Sequence, residues 1–180
     1  MIILGLDVST SVVGVAIMDS GSELIYFESC DLKKYKDFFD KCEEFKKFID
    51  PILKRYNPQS IWIEKPLQAF SKGLSSATTI SKLSSFNGAV SYLTFELTGL
   101  KPKYVAPSSA RKKAGITIKR GMKSKEVVLE HICKNYSHFK PEYTKFGNVK
   151  KQYYDMADAI VVAKAGLVEE EYGKEREDTS

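Results

Sequence analysis

Four acids stand out in a chain whose strand and helix edges are otherwise apolar: Asp7 in IILGLDVSTSVVGVAI, Glu64 in SIWIEKP, and Asp155 and Asp158 in YYDMADAIVVA. Asp7 is the hardest to explain singly. An unpaired carboxylate among Ile, Leu and Val costs on the order of a few kcal/mol after relaxation, so either a cation compensates it or a Ser/Thr turn lets it reach water. The other three have ordinary readings. Asp155 can be an N-cap and Asp158 a first-turn acid favoured by the helix dipole. Glu64 alternates with Trp62 just before Pro66 and reads alone as a solvated strand end.

Together the four support a different chemistry. Neighbouring strands can hold Asp7 and Glu64 side by side, and a helix packed on that sheet can add Asp155 and Asp158, which are three apart and share one helical face. Such acids repel one another unless cations stand between them. Two divalent ions roughly 4 Å apart would relieve that repulsion, and all-carboxylate ligation suits Mg²⁺ or Mn²⁺. An ion pair of this kind activates water and stabilises the leaving oxygen in phosphodiester hydrolysis. That chemistry needs no nucleophilic serine or catalytic histidine, and the sequence offers no obvious arrangement of either.

The elements that must position these acids follow from periodicity. Ile2 to Leu6, a Ser/Thr turn, and Gly14 to Met18 predict a hairpin, with SELIYFESC as a third strand. Helical spacing of apolar residues runs from Leu32 to Tyr56, with Pro51 expected to kink or break it. SIWIEKP is a fourth strand and KYVAP a fifth, separated by a long helix over SSATTISKLSSFNGAVSYLTFEL. SSARKKAG, KSKEVVLEHICKNY and DMADAIVVAKAGLVEE then predict three helices. Antiparallel strands followed by alternating strands and helices imply an α/β fold, a five-stranded mixed sheet with helices on its faces.

A length of 180 residues with 43% hydrophobic content suits one domain, expected over 1–168, with an acidic tail from 169 to 180 that frays. The apolar start has no basic leader or cleavage pattern, and no segment is apolar enough to span a membrane. Three scattered cysteines without ligand spacing fit a reducing compartment. His131 and His138 suit surface or packing roles. A soluble, cytoplasmic protein is expected. The tail carries six acids against two bases, so the net charge of +5 leaves +9 for the body. Lys101 to Lys125 holds nine Lys or Arg and no acid, which is either a solvated surface or a face for a polyanion; the absence of acids favours the polyanion.

The motifs IILGLDVSTSVVGVAI, IWIEKP and YYDMADAIVVA, in this order and around a basic segment, resemble the RNase H-like superfamily and, within it, the RuvC-type Holliday junction resolvases. The resemblance runs from Ile2 to about Leu167. It implies the RNase H-like fold, and that Asp7, Glu64, Asp155 and Asp158 hold two Mg²⁺ ions, with Mn²⁺ able to substitute and no small-molecule cofactor. It implies a homodimer that nicks opposing strands of a four-way DNA junction symmetrically. Lys125 resembles a family lysine that approaches the scissile phosphate, with Lys123 its rival. Phe70 falls where related enzymes place an aromatic that probes unstacked bases; the alternative for it is a core position. Lys72, Arg111, Lys112, Lys113, Lys119, Arg120 and Lys123 are the expected DNA contacts. DVSTS replaces the usual bacterial Pro-Gly after the first aspartate, and HFKPEYTKFGNVKKQYY is a longer, more basic insert than the family pattern. Both resemble phage or other viral members, whose location would be the host cytoplasm.

Three rivals use the same features. An RNase H-like nuclease acting on other branched DNA or on RNA/DNA hybrids would use the same acids. An ATPase or sugar kinase also begins with a strand carrying Asp and Ser/Thr turns, but needs a second subdomain. A non-catalytic branched-DNA-binding module would have no reason to keep all four acids.

Overall fold

The computed structural model describes residues 1–66 and 77–177. Five strands, β1 (Ile2–Val8), β2 (Val12–Asp19), β3 (Leu24–Asp31), β4 (Ser60–Glu64) and β5 (Lys103–Val105), form one sheet in the order β3-β2-β1-β4-β5. The first three are antiparallel, whereas β1–β4 and β4–β5 are parallel. This is the expected mixed sheet. The helices are α1 (Phe38–Tyr56), α2 (Ala77–Thr98), α3 (Pro107–Lys113), α4 (Ser124–Asn135) and α5 (Gln152–Glu177).

The strand period of two divides the core into two faces. Leu4, Leu6, Val13, Val15, Ile17, Ile61 and Ile63 bury against α1 and α2, while Ile3, Ala16, Met18, Trp62 and Val105 bury with residues of α3, α4 and α5. Asp7 and Glu64 continue the second set. Both therefore face the layer containing α5.

Helix α5 crosses this face at close range because the sheet presents no β-carbon where it lies. A β-carbon on Gly5 would stand 2.5 Å from the Ala159 carbonyl oxygen and from the Ala163 nitrogen. One on Gly14 would collide with the backbone of Asp155, and one on Gly166 of α5 would stand 2.5 Å from Trp62 Cδ1. The helix is thus held against β2, β1 and β4 in turn. Its buried run from Ala159 to Ala163 supplies the apolar contact.

Several boundaries differ from those read in the sequence. Strand β1 continues through Asp7, so the acid lies within the strand. Helix α1 starts at Phe38, not Leu32: the Asp37 carboxylate caps it, accepting from Phe39 N at 2.7 Å, and Leu32 is fully buried ahead of the cap. Pro51 does not end α1. It sits on the exposed side, where the hydrogen bond that proline removes can be replaced by solvent. Helix α5 starts at Gln152, which places Asp155 inside the first turn instead of at the N-cap. Its span continues to Glu177. No helix among the described residues is long and apolar enough to cross a membrane.

Candidate active site

The parallel register pairs Leu6 of β1 with Ile63 of β4, so Asp7 and Glu64, each one residue further on, emerge at the same level of adjacent strands. On its other side Asp7 pairs with Gly14 of β2. Gly14 is the position that admits the backbone of Asp155. Three separate chain segments thereby bring four carboxylates to one end of the sheet.

Their electrostatics record how close they are. Burial pushes Asp7 well above the usual carboxylate range, and the charges of Glu64, Asp158 and Asp155 push it further against partial relief from Lys125. Glu64 is raised to about 7 by burial and then by Asp158, with Arg111 and Lys125 acting the other way. Asp158 is raised to about 6, burial outweighing the opposing pull of Lys125 and Arg111. Burial also raises Asp155, against Lys125 and Lys33. A group of acids that all hold protons more tightly than in water is a site short of positive charge.

Lys125, in the first turn of α4, supplies part of that charge. Its ammonium lies 3.3 Å from Asp155 Oδ1 and 3.8 Å from Asp158 Oδ2, with its side chain 61% exposed. Burial pulls the Lys125 pKa down, but Asp155, Asp158 and Asp7 more than reverse that, so it stays protonated. Lys123, the rival, is the N-cap residue of α4 and pairs with Glu126 at 2.9 Å instead.

The acid-free basic run divides in space. Arg111 of α3 acts on Glu64 and Asp158, whereas Lys113 pairs with Glu169 at 3.0 Å and Lys103 with Glu170 at 2.7 Å, both on the later part of α5. Lys112, Lys119 and Arg120 are exposed. Phe70 and Lys72 lie outside the described residues. Two features escaped the sequence reading. Lys33, after β3, is near enough to act on Asp155, because Leu32 N bonds to Ser11 O at 2.8 Å and folds that loop beside the β1–β2 turn. Arg111, classed by its basic neighbours as a DNA contact, is also a counter-charge to the acids. Neither carries a periodic signal that could have revealed it.

The donor set suits a hard divalent cation: carboxylates alone, mutually repelling, with no thiolate or imidazole among them. Among the described residues no group of three or more acidic, histidine or cysteine side chains is closed around one point as a finished cage. The Lys125 ammonium reaches both Asp155 and Asp158. Holding an ion would therefore require these side chains to rotate from the positions they take in the chain alone.

Thermus thermophilus RuvC, solved in complex with a Holliday junction substrate, superposes with a TM-score of 0.70 over 96% of each chain at 16% identity. The fold is that of the RuvC resolvases. Yeast mitochondrial Holliday junction resolvase Ydc2 gives a TM-score of 0.54 at 16% identity over 92% of this chain and 77% of its own. Fowlpox virus resolvase, solved with substrate Holliday junction DNA, gives 0.51 at 22% identity over 93% of this chain and 97% of its own. No family model matches the sequence, and no curated protein matches it. The fold is thus shared with these structures at identities of 16–22%.

Proposed function

We propose that this chain is a structure-selective endonuclease that resolves four-way DNA junctions, using Asp7, Glu64, Asp155 and Asp158 to hold two Mg²⁺ ions. The observation that carries the proposal is the convergence of these four acids, from β1, β4 and α5, on the face of a resolvase fold. Mn²⁺ would substitute, since it prefers the same oxygen ligands.

When bound, the ions supply Lewis-acid charge at the scissile phosphate and lower the pKa of a water. The chain's own groups do the rest. Asp7, set between β2 and β4, fixes the centre of the cluster, and the α5 turn is held over it by the absence of a β-carbon at Gly14. Lys125 presents an exposed ammonium beside Asp155, positioned to neutralise charge that develops on the non-bridging phosphate oxygens. The water oxygen bonds to phosphorus while the bond to the 3′-oxygen breaks, leaving a 3′-hydroxyl and a ligatable 5′-phosphate. Arg111, Lys112, Lys119, Arg120 and Lys123 are assigned to the DNA backbone, as are Lys72 and the base-probing Phe70. Lys113 contributes less than the sequence suggested, because its ammonium is already paired with Glu169. Symmetric nicking requires two such sites, which a homodimer provides.

The test compares a four-way junction, a fork, a linear duplex and an RNA/DNA hybrid, each in Mg²⁺ and in EDTA. Mg²⁺-dependent paired nicks confined to the junction are expected, with Asp7→Asn binding the junction and cutting nothing. Preferential cutting of the hybrid would replace junction resolution with an RNase H-type activity. Binding without cutting in any metal would make the chain a DNA-binding module.

A further inference from the structure

The segment between α4 and α5 is a built structure and not slack chain. Phe139 is buried, 4.8 Å from the Phe27 ring of β3 and 5.9 Å from the Tyr153 ring of α5. From that anchor the chain turns back on itself: Lys150 N donates to Glu142 O at 2.9 Å, Tyr143 bridges Val149, and Thr144 N donates to Asn148 O at 2.7 Å. Gly147 N closes the tip on Thr144 O at 3.0 Å, with Gly147 at φ +76°, the left-handed residue that follows a tight turn in hairpins of this length. The returning strand leads directly into α5, where Tyr153 N bonds to Lys150 O at 3.1 Å.

This hairpin exposes aromatic residues where a solvated loop would carry polar ones. Phe146, at the tip, is 77% exposed, and Tyr143 is 62% exposed. The Lys145 ammonium lies 5.0 Å from the Phe146 ring centre. The same segment carries Lys140, Lys150 and Lys151 beside Lys145, against one acid, Glu142, which is paired with Lys150. An aromatic ring flanked by ammonium groups is a platform for an unstacked base whose phosphates are held alongside. The platform is fixed at the start of the helix that carries Asp155 and Asp158.

Resting on the proposed nuclease function, we infer that the hairpin around Tyr143–Lys150 is a second base-engaging element, with Phe146 stacking on a nucleobase unpaired near the crossover. Stacking there offsets the cost of opening a base pair beside the cut. Lys145 and Lys151 hold the adjoining backbone. The hairpin is separate in sequence from the segment that carries Phe70.

The deciding experiment places the photo-crosslinker p-benzoylphenylalanine at position 146 and irradiates the full chain on a four-way junction, an intact duplex and a single-stranded oligonucleotide. Crosslinks to bases at the crossover and on the single strand, and none on the duplex, are expected. In parallel, Phe146→Ala should weaken junction binding about tenfold, as loss of one stacked base implies, and Phe146→Trp should restore it. Crosslinks confined to duplex arms, or Phe146→Ala and wild-type chains binding alike, would overturn the inference. So would crosslinking to a second protein chain in place of DNA. Cleavage by the wild-type chain, scored in the same preparation, reports separately on the nuclease assignment: a cutting enzyme with an inert hairpin leaves that assignment standing, and a hairpin that crosslinks single strands on a chain that cuts nothing does the reverse.

Discussion

Gly14 of β2 lies against the backbone of Asp155 of α5: a β-carbon at position 14 would stand 2.6 Å from the Asp155 carbonyl carbon and closer still to its oxygen. The obstacle is helix backbone, which cannot rotate away as a side chain would. Gly14→Ala should therefore displace the first turn of α5 and with it Asp155 and Asp158. Overpacking of this kind costs about 1–3 kcal/mol, or about 2–4 °C in Tm for each of them in a chain of this size. Calorimetry and a junction-cleavage assay on the same variant check it. Cleavage should fall further than the fraction unfolded explains, and a variant with unchanged Tm and rate would show that the helix has slack at this point.

The sheet, and the shared face of Asp7 and Glu64 on it, were legible because strand alternation is a local signal. Ile3, Gly5 and Asp7 share one face of β1, while Leu4, Leu6 and Val8 share the other, and each set has one destination. What could not be read were contacts made only by tertiary folding. Glu170 sits in a run of acids that looks like a solvated tail, yet it accepts from Ser60 Oγ at 2.6 Å and Trp62 Nε1 at 3.1 Å. Arg111 differs from its basic neighbours only in the face of α3 it occupies. Choosing between Lys123 and Lys125 depended on which residue begins α4, and helix boundaries are where sequence signals are weakest.

Lys125 and Lys123 make a matched pair for mutagenesis, since both are exposed lysines at the start of one helix and their partners differ. Lys125→Ala removes the ammonium beside Asp155 and Asp158 and should lower kcat roughly a hundredfold, the scale for losing one preorganised charge donor. Lys123→Ala removes an exposed pair with Glu126, and cleavage should stay within about twofold of wild type. Single-turnover rates on pre-bound junction separate this from weaker binding. Equal losses for the two variants would leave Lys125 with no role at the scissile phosphate beyond the backbone contact assigned to Lys123.

Glu170 ties the later part of α5 to two strands, with Lys103 Nζ adding a third contact at 2.7 Å. Glu170→Ala would leave the Trp62 N–H and the Ser60 hydroxyl without their acceptor, at a cost of about 1–3 kcal/mol. Trp62 is the chain's one tryptophan, so its fluorescence reports the change directly. A red-shifted emission and a lower Tm, with cleavage by the folded fraction preserved, are expected. Burial opposes ionisation of Glu170, but its bonds to Lys103, Ser60 and Trp62 prevail and hold the pKa below the ordinary value. Its contribution is therefore present at neutral pH and lost as pH falls below about 4.5.

The metal-free acid cluster should respond to pH in the opposite sense. Glu64 rises to about 7 and Asp158 to about 6 in the folded chain, from ordinary values of 4.5 and 3.8. Across that window the folded state binds more protons than the unfolded one, so stability falls as pH rises from about 4 to about 7. Asp7→Asn removes one of the charges responsible. It should raise the Tm of metal-free protein at pH 7.5, and do so much less at pH 5, where the cluster is largely protonated. Mg²⁺ should stabilise wild type at pH 7.5 by binding the folded state alone, and that gain should shrink in Asp7→Asn. Thermal unfolding in EDTA and in Mg²⁺ at the two pH values checks all four expectations. If Asp7→Asn lowers the Tm in EDTA at pH 7.5, the carboxylate is a structural group whose removal costs more than its repulsion.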